Sequence, residues 1–310
     1  MKRVPILAVL VCAVLQALPA AVPQTTLKVG VNLVNVLFTV TDKKGHLVPG
    51  LSQQDFAVEE DGRKQDIRFF SHENQLPLTL GLLVDISPSV KPVFDREKVA
   101  ANAFLHSVLR PKDLAMVISF EKSVTLVQDF TEDKRLLQHS INDLEIGPGI
   151  DGGTSLYDAL YLATKEKLSE ETGRKAIILI SDGDDTTSKL KLDEAMVEVQ
   201  NADTVIYSLA VGGGWRSLGY RRSLGSGHGV MKRMSEETGG SYFDIDNERA
   251  FDSAFAHIDE ELRNQYSIGY VSSNRLNDGK YRRIKIVPRD PTYRIQARKG
   301  YYAAKSTGSL

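Results

Sequence analysis

Oxygen-bearing side chains follow two apolar runs of this chain, at positions where the strands of a parallel sheet would end. The runs are Leu78–Val84 and Lys175–Ile180, and a third polar segment, Gly153–Ser155, lies between them in the sequence. Carboxylates and hydroxyls without any Cys or His make a hard-oxygen set, which suits Mg²⁺ or Mn²⁺. The sequence therefore predicts a divalent metal site. The oxygen-bearing side chains of these segments are those of Asp85, Ser87, Ser89, Thr154, Ser155, Ser181 and Asp182.

Continuous apolar runs rich in Leu, Ile and Val are typical of parallel strands that helices cover on both faces. From Leu78 to about Glu261 such strands alternate with helical patterns, which predicts an α/β fold with a doubly wound, mostly parallel sheet. Such sheets bind their ligands beyond the carboxyl ends of the strands. The predicted strands are Leu78–Asp85, Leu114–Phe120, Ser123–Val127, Ala176–Ser181, Val205–Val211 and Ser241–Ile245. The predicted helices are Val93–Leu109, Lys134–Asp143, Ser155–Leu168, Leu190–Asn201, Val230–Thr238 and Glu248–Leu262.

The chain is β-like on both sides of this α/β part, from Leu27 to about Ser71 and again after Asn264. Asp61-Gly62, between two alternating runs, indicates a hairpin. Each flank has only about 40 residues, which rarely form a stable core alone. We therefore expect the flanks to pair into one small β-sandwich, with two separate small domains as the alternative. The predicted division is a signal peptide at 1–21, β-rich segments at 22–76 and 264–310, and the α/β domain at 77–263.

The N-terminus has the pattern of an export signal. Lys2 and Arg3 precede an apolar stretch from Val4 to Leu18, and small residues follow it. This order is typical of a secretory signal peptide, and the stretch is shorter than the ~20 residues of a spanning helix. We expect a periplasmic, cell-surface or secreted protein without a transmembrane segment in the mature chain. An uncleaved membrane anchor is the alternative.

The composition limits the classes of partner. The formal net charge is −1, so there is no basic excess of the kind that binds nucleic acid, and no nucleic-acid partner is expected. The single cysteine, Cys12, lies within the predicted signal peptide. The mature chain therefore has neither disulfides nor a thiolate metal site.

The three polar motifs resemble the metal-ion-dependent adhesion site of von Willebrand factor type A domains. Asp85-x-Ser87-x-Ser89 ends the first strand, Thr154 precedes a helix, and Asp182 closes a later strand. The flanking sequences LVPGLSQQDFAVEEDG and ARKGYY also resemble a bacterial subgroup called VWFA-related. The resemblance implies that Ser87, Ser89 and Thr154 bind the ion directly, while Asp85 and Asp182 act largely through water. It also implies that the carboxylate of a partner completes the coordination.

Two readings of these motifs stay open. Asp and Ser after a strand also cap helices and shape turns, so each residue taken singly has a structural interpretation. The set of three motifs at three strand ends favours the metal site.

The long connection between Gly212 and Gly229 is a second candidate site. It follows the strand Val205–Val211, so it leaves from the same edge of the sheet as the metal motifs. Loops of this length are commonly functional or disordered, and aromatic and Arg residues are enriched at binding hot spots. The hypothesis is that this loop grips an acidic partner beside the ion; a surface loop without this role is the alternative. The candidate residues are Trp215, Arg216, Tyr220, Arg221 and Arg222.

The sequence contains no recognisable catalytic motif. It lacks the G-x-S-x-G elbow of α/β-hydrolases and the H-E-x-x-H pattern of zinc proteases, and its six His residues are scattered. We predict no catalytic residues and no enzymatic activity. The predicted function is an exported binding or adhesion module that captures a protein or other acidic ligand through the cation. The alternatives are a structural or assembly module of the cell envelope, whose metal only stabilises the fold, and, more weakly, a metal-dependent hydrolase.

Overall fold

The computed structural model describes residues 33–72, 76–147, 152–211 and 227–304, which form strands and helices as follows. The strands are β1 (Leu33–Thr41), β2 (Phe56–Glu60), β3 (Arg63–Gln65), β4 (Ile67–His72), β5 (Leu78–Asp85), β6 (Leu114–Phe120), β7 (Val124–Thr131), β8 (Arg174–Ser181), β9 (Thr204–Ala210), β10 (Tyr242–Asp244), β11 (Tyr266–Val271), β12 (Tyr281–Pro288), β13 (Arg294–Ala297) and β14 (Gly300–Tyr302). The α-helices are α1 (Phe94–Val108), α2 (Lys134–Asn142), α3 (Leu156–Tyr161), α4 (Leu192–Asn201), α5 (Gly227–Thr238) and α6 (Glu248–Arg263).

A six-stranded sheet with the order β10-β9-β8-β5-β6-β7 forms the centre of the α/β part. All neighbours are parallel except β6 and β7, which are antiparallel. Every residue of β5 is buried, because helices cover both faces of this central strand. Leu82 packs with α1, α2 and α6 on one face, while Leu83 packs with α3, α4 and α5 on the other. The predicted fold class, a doubly wound α/β sheet with an attached β-sandwich, is confirmed.

The sandwich combines strands from both ends of the described chain. Its sheets have the orders β13-β1-β11-β4 and β14-β12-β2-β3, so β1 pairs with β11 and β13, and β2 pairs with β12. In β1 the residues Val34, Val36 and Phe38 alternate with more exposed ones and enter a core shared with Tyr266 and Ile286. The apolar alternation of each flank therefore finds its partner surface in the other flank. The domain boundaries assigned from the sequence stay a prediction.

Two local features differ from the sequence-based expectation. The turn at Asp61-Gly62 connects β2 to the short strand β3, whereas β4 pairs with β11 in the opposite sheet. Both turn residues have positive φ (49° and 77°), which a tight hairpin turn requires. The helix expected at Ser155–Leu168 is α-helical only to Tyr161 and continues as a wider turn. There the Thr164 hydroxyl donates to the Leu160 carbonyl at 2.7 Å, a contact that bends helices.

The sandwich contacts the α/β part at the amino ends of the strands in the central sheet, which form its amino edge. At the start of β8 the buried Arg174 donates from Nε and Nη2 to the Leu76 carbonyl at 3.1 and 3.0 Å, and from Nη1 to the Leu262 carbonyl. Arg298, just after β13, forms an ion pair of 2.6 Å with Asp203, just before β9. The points where the chain enters and leaves the α/β part are thus held together at one edge.

The predicted signal peptide at 1–21 lies outside the described residues. Among the helices that the structure does describe, none is long and apolar enough to cross a membrane.

We expect Phe38→Ala to destabilise the protein by about 3–5 kcal/mol, as for other buried Phe residues. Phe38 is 1% exposed, and its ring lies 5.0 Å from that of Phe56 and 5.5 Å from that of Tyr266, which belongs to the other flank. Urea denaturation of the purified protein measures the change. Phe69→Ala is the control, because Phe69 is 62% exposed and its truncation should stay within about 0.5 kcal/mol. Equal effects of the two substitutions would contradict a core shared by the flanks.

Candidate metal centre

The first motif begins inside the sheet and ends at its surface. Asp85 is the last residue of β5 and is fully buried. The chain then turns through Ser87 into a single 3₁₀ turn, Pro88–Val90, before α1. Pro88 suits the first position of this turn because its missing N–H would have no partner there. In this geometry Ser87 is buried and Ser89 is exposed, and their hydroxyl oxygens lie 2.9 Å apart.

Both oxygens of the Asp85 carboxylate accept hydrogen bonds. Oδ1 accepts from the Ser87 backbone N–H at 2.8 Å, and Oδ2 accepts from the Ser181 hydroxyl at 2.6 Å. Ser181 is the last residue of β8, the strand next to β5. These bonds fix the orientation of the carboxylate and connect the first motif to the third. A carboxylate oriented by such bonds is typical of metal sites.

Thr154 is fixed between the end of β6 and the loop after β8. Its N–H donates to the Thr186 hydroxyl at 2.9 Å, and its carbonyl accepts from the N–H groups of Thr186 and Thr187 at 2.9 and 3.1 Å. The next residue, Ser155, donates its N–H to the Glu121 carbonyl at 2.6 Å. Thr154 itself is 6% exposed. The second motif is therefore held by three hydrogen bonds against the loop that follows the third motif.

Two glycines permit the close approach of the third motif to α5. Gly183 has φ of +79°, and a Cβ there would lie 2.4 Å from the Gly227 carbonyl oxygen. A Cβ on Gly227 would lie 2.4 Å from the carbonyl oxygen of Asp182. No other residue type fits both positions without moving the backbone. The start of α5 thus lies directly against the half-buried Asp182.

Burial dominates the electrostatics of the site. It raises the pKa of Asp85 from 3.8 to about 6, although hydrogen bonds from Ser181 and Ser87 act in the opposite direction and the negative charge of Asp182 adds to the rise. Among the described residues, neither aspartate forms an ion pair with Lys or Arg. Two carboxylates close together without a cationic side chain favour a bound cation.

The donor set fits a hard divalent cation. The described residues contain no cluster of three His, Cys, Asp or Glu side chains arranged for a metal ion. The candidate site differs from such clusters because it combines two carboxylates with neutral hydroxyls. Oxygen donors of this kind match Mg²⁺ and Mn²⁺. The five residues would hold the ion, and their role as ligands stays a prediction.

The structure brings the three motifs of the predicted metal site to the carboxyl edge of the sheet. The candidate ligand-binding residues Trp215, Arg216, Tyr220, Arg221 and Arg222 lie outside the described residues. Sequence reasoning placed Ser181 at a strand end but assigned it no role, whereas the structure shows that its hydroxyl orients Asp85. Sequence reasoning missed Thr186 and Thr187, which hold Thr154 and follow the acidic run Asp182–Asp185. The sequence distance between Thr154 and these two threonines gives no signal, because their hydrogen bonds depend on the path of two loops.

Comparisons with known proteins agree with this geometry. Residues 80–184 match the family model of the von Willebrand factor type A domain, and this segment contains all five predicted metal-site residues. The resemblance of this segment to von Willebrand factor type A domains is therefore confirmed, whereas that of the flanking sequences to the VWFA-related subgroup stays a prediction. An uncharacterized protein of Borreliella burgdorferi is 19% identical over 212 residues, which make up 63% of this chain. The match spans 61% of the length of that relative.

Two solved structures share the fold. A von Willebrand factor type A protein from Catenulispora acidiphila has a TM-score of 0.51 at 11% identity, with 88% of this chain and 74% of that chain covered. Proximal thread matrix protein 1 from the mussel byssus, solved with zinc in its metal-ion-dependent adhesion motif, has a TM-score of 0.50 at 16% identity. That match covers 66% of this chain and 49% of the mussel chain. At such identities the likeness shows the fold alone.

We expect Asp85→Asn to change the pH dependence of stability in metal-free buffer. The folded-state pKa of Asp85, about 6, lies above 3.8, so the folded state binds the proton more tightly than the unfolded state. The wild-type free energy of unfolding therefore falls as pH rises from about 4 to about 7, whereas the variant lacks this contribution. Relative to wild type, the variant should gain about 3 kcal/mol over that range.

Urea denaturation in EDTA at several pH values measures this gain. Asp184→Asn, in the same loop region but exposed, is the control and should follow the wild-type curve. A variant curve parallel to that of wild type would show that Asp85 is not destabilised by burial.

Proposed function

We propose that this chain is an exported binding module that captures a protein or another acidic ligand through Mg²⁺ or Mn²⁺. The cation would be held by Ser87, Ser89 and Thr154, with Asp85 and Asp182 acting largely through water. When bound, the cation supplies a positive charge at the carboxyl edge of the sheet. The role proposed is binding rather than catalysis.

The observation that carries the proposal is the set of hydrogen bonds that joins Asp85 to the end of β8 and the Thr154 loop to the segment after β8. The Ser181 hydroxyl binds the Asp85 carboxylate at 2.6 Å, and the Thr154 loop is joined to the segment after Ser181 by backbone hydrogen bonds. The candidate ligands combine the neutral hydroxyls of Ser87, Ser89 and Thr154 with the carboxylates of Asp85 and Asp182. Neutral hydroxyl ligands leave the charge of a divalent cation incompletely cancelled, so a carboxylate of the partner is attracted to it.

The long connection between β9 and α5 begins and ends beside this site. Val211 donates its N–H to the Ser181 carbonyl at 2.9 Å, and Gly227 lies against Asp182. At the start of α5, His228 Nδ1 lies 3.0 Å from the hydroxyl of Tyr242. These fixed ends support the proposal that Trp215, Arg216, Tyr220, Arg221 and Arg222 contact the acidic ligand next to the cation. Arg and aromatic side chains are suited to that role.

Export rests on the N-terminal pattern of Lys2, Arg3 and the apolar stretch that follows. We propose a periplasmic, cell-surface or secreted location. Mass spectrometry of the purified native protein tests this, since cleavage near Ala21 gives a mature chain that lacks Cys12.

We expect saturable binding of Mg²⁺ and Mn²⁺ by calorimetry, and we expect Asp182→Asn to weaken it by about 10- to 100-fold. The substitution removes one of the two carboxylates while keeping the shape of the side chain. Asp184→Asn is the matched control, because it removes the same charge from an exposed neighbour and should change affinity by less than about threefold. Equal loss in both variants would indicate a diffuse acidic surface instead of a site.

Ligand capture is tested with immobilised acidic peptides and with copies in which Gln and Asn replace every Glu and Asp. We expect retention of the wild-type protein on the acidic peptides in Mg²⁺ and release by EDTA. Metal binding that raises the melting temperature without any retention would favour the structural module. Turnover of ester or phosphoester substrates would favour the hydrolase instead.

A further inference from the structure

Glu97 is a buried acid without a visible partner. The side chain lies in α1, the residue is 1% exposed, and neither carboxyl oxygen has a hydrogen-bond partner among the described residues. An unpaired buried carboxyl group is costly, and most buried polar atoms in proteins are hydrogen-bonded. Asp95, in the same helical turn, is exposed and carries no such cost. The position of Glu97 therefore needs an explanation.

The topology puts Glu97 near the metal site. Helix α1 connects the parallel strands β5 and β6, so it runs back along the sheet from the carboxyl edge to the amino edge. Glu97 is the fourth residue of α1, about one helical turn below that edge. It is on the helix face that carries the buried residues Phe94, Ala101 and Phe104, which pack in the same cluster as Val84 of β5. Glu97 therefore lies on the face of α1 that packs on the sheet, and the influence of the Asp85 charge on its pKa agrees with a position near the end of β5.

The negative charge of Asp85 acts on Glu97. Burial raises its pKa well above 4.5, and the negative charge of Asp85 raises it further. The next residue, Lys98, does not neutralise it, because the Lys98 amine donates to the carbonyls of Asn142 and Leu144 at 2.9 and 3.0 Å. No cationic side chain among the described residues is paired with Glu97.

We propose that Glu97 is a third acidic group of the cation site, acting from beneath Asp85 on the water that surrounds the bound ion. Its carboxylate would accept hydrogen bonds from that water and add negative charge where Asp85 and Asp182 already attract a cation. Outer groups of this kind orient the ligands of a metal and increase its affinity. This inference rests on the proposed function, because it assigns Glu97 to the same metal site.

The test compares Glu97→Gln and Glu97→Leu with Asp95→Asn. Mn²⁺ affinity is measured by calorimetry, and urea denaturation in EDTA gives the stability of each metal-free protein. We expect both Glu97 variants to bind Mn²⁺ about tenfold more weakly or worse, and Asp95→Asn to stay within about threefold of wild type. Without metal, the Glu97 variants should be at least as stable as wild type, because they no longer bury an unpaired acid.

Each other outcome overturns the inference. Wild-type affinity in both Glu97 variants would show that Glu97 does not serve the site, while leaving the proposed function intact. Failure of both variants to fold in EDTA would show that the metal-free fold needs this carboxyl group. If the wild-type protein itself does not bind Mn²⁺, the proposed function and this inference are wrong together.

Discussion

The burial of one carboxylate, that of Asp85, is the constraint on which the candidate site depends. Because Asp85 ends a strand that helices cover on both faces, its side chain is removed from bulk solvent and needs hydrogen-bond partners. It finds them in the Ser87 N–H and the Ser181 hydroxyl. These two bonds determine how the chain leaves β5 and how the end of β8 approaches it. The polar loops at this edge are therefore arranged around a single buried group.

Burying acidic side chains that could attract a cation also lowers the stability of the metal-free fold. The hydrogen bonds to Asp85 do not offset its burial, since the pKa of Asp85 is raised to about 6. Glu97 has the same problem in a stronger form, with no hydrogen bond at all. Asp85 and Glu97 are acidic residues at buried positions, whereas the other buried positions of β5 and α1 are mostly apolar. Local conflict of this kind in an otherwise consistent structure is expected at functional sites.

The sequence pattern predicts the α/β core well because its signals are local. The apolar run of β5 specifies a buried strand by itself, and the alternation in β1 specifies a half-buried one. Pairings between distant segments are harder to predict from the sequence. Strand β4 pairs with β11 and not with β2, and no local turn signal predicts this pairing. Glu97 shows the same limit of prediction from local sequence signals. Its spacing from Ala101 and Phe104 puts it on the apolar stripe of α1, but only the path from β5 into α1 brings it close to Asp85.

The two edges of the central sheet have separate tasks. The Arg298–Asp203 pair joins the sandwich to the amino edge, where Arg174 connects the points at which the chain enters and leaves the α/β part. The predicted metal residues lie at the carboxyl edge, a full strand length away along β5 and β8. A ligand at the carboxyl edge therefore approaches from the side opposite to the sandwich. Because both connections between the sandwich and the α/β part emerge at the amino edge, the described strands of the sandwich do not cover the carboxyl edge.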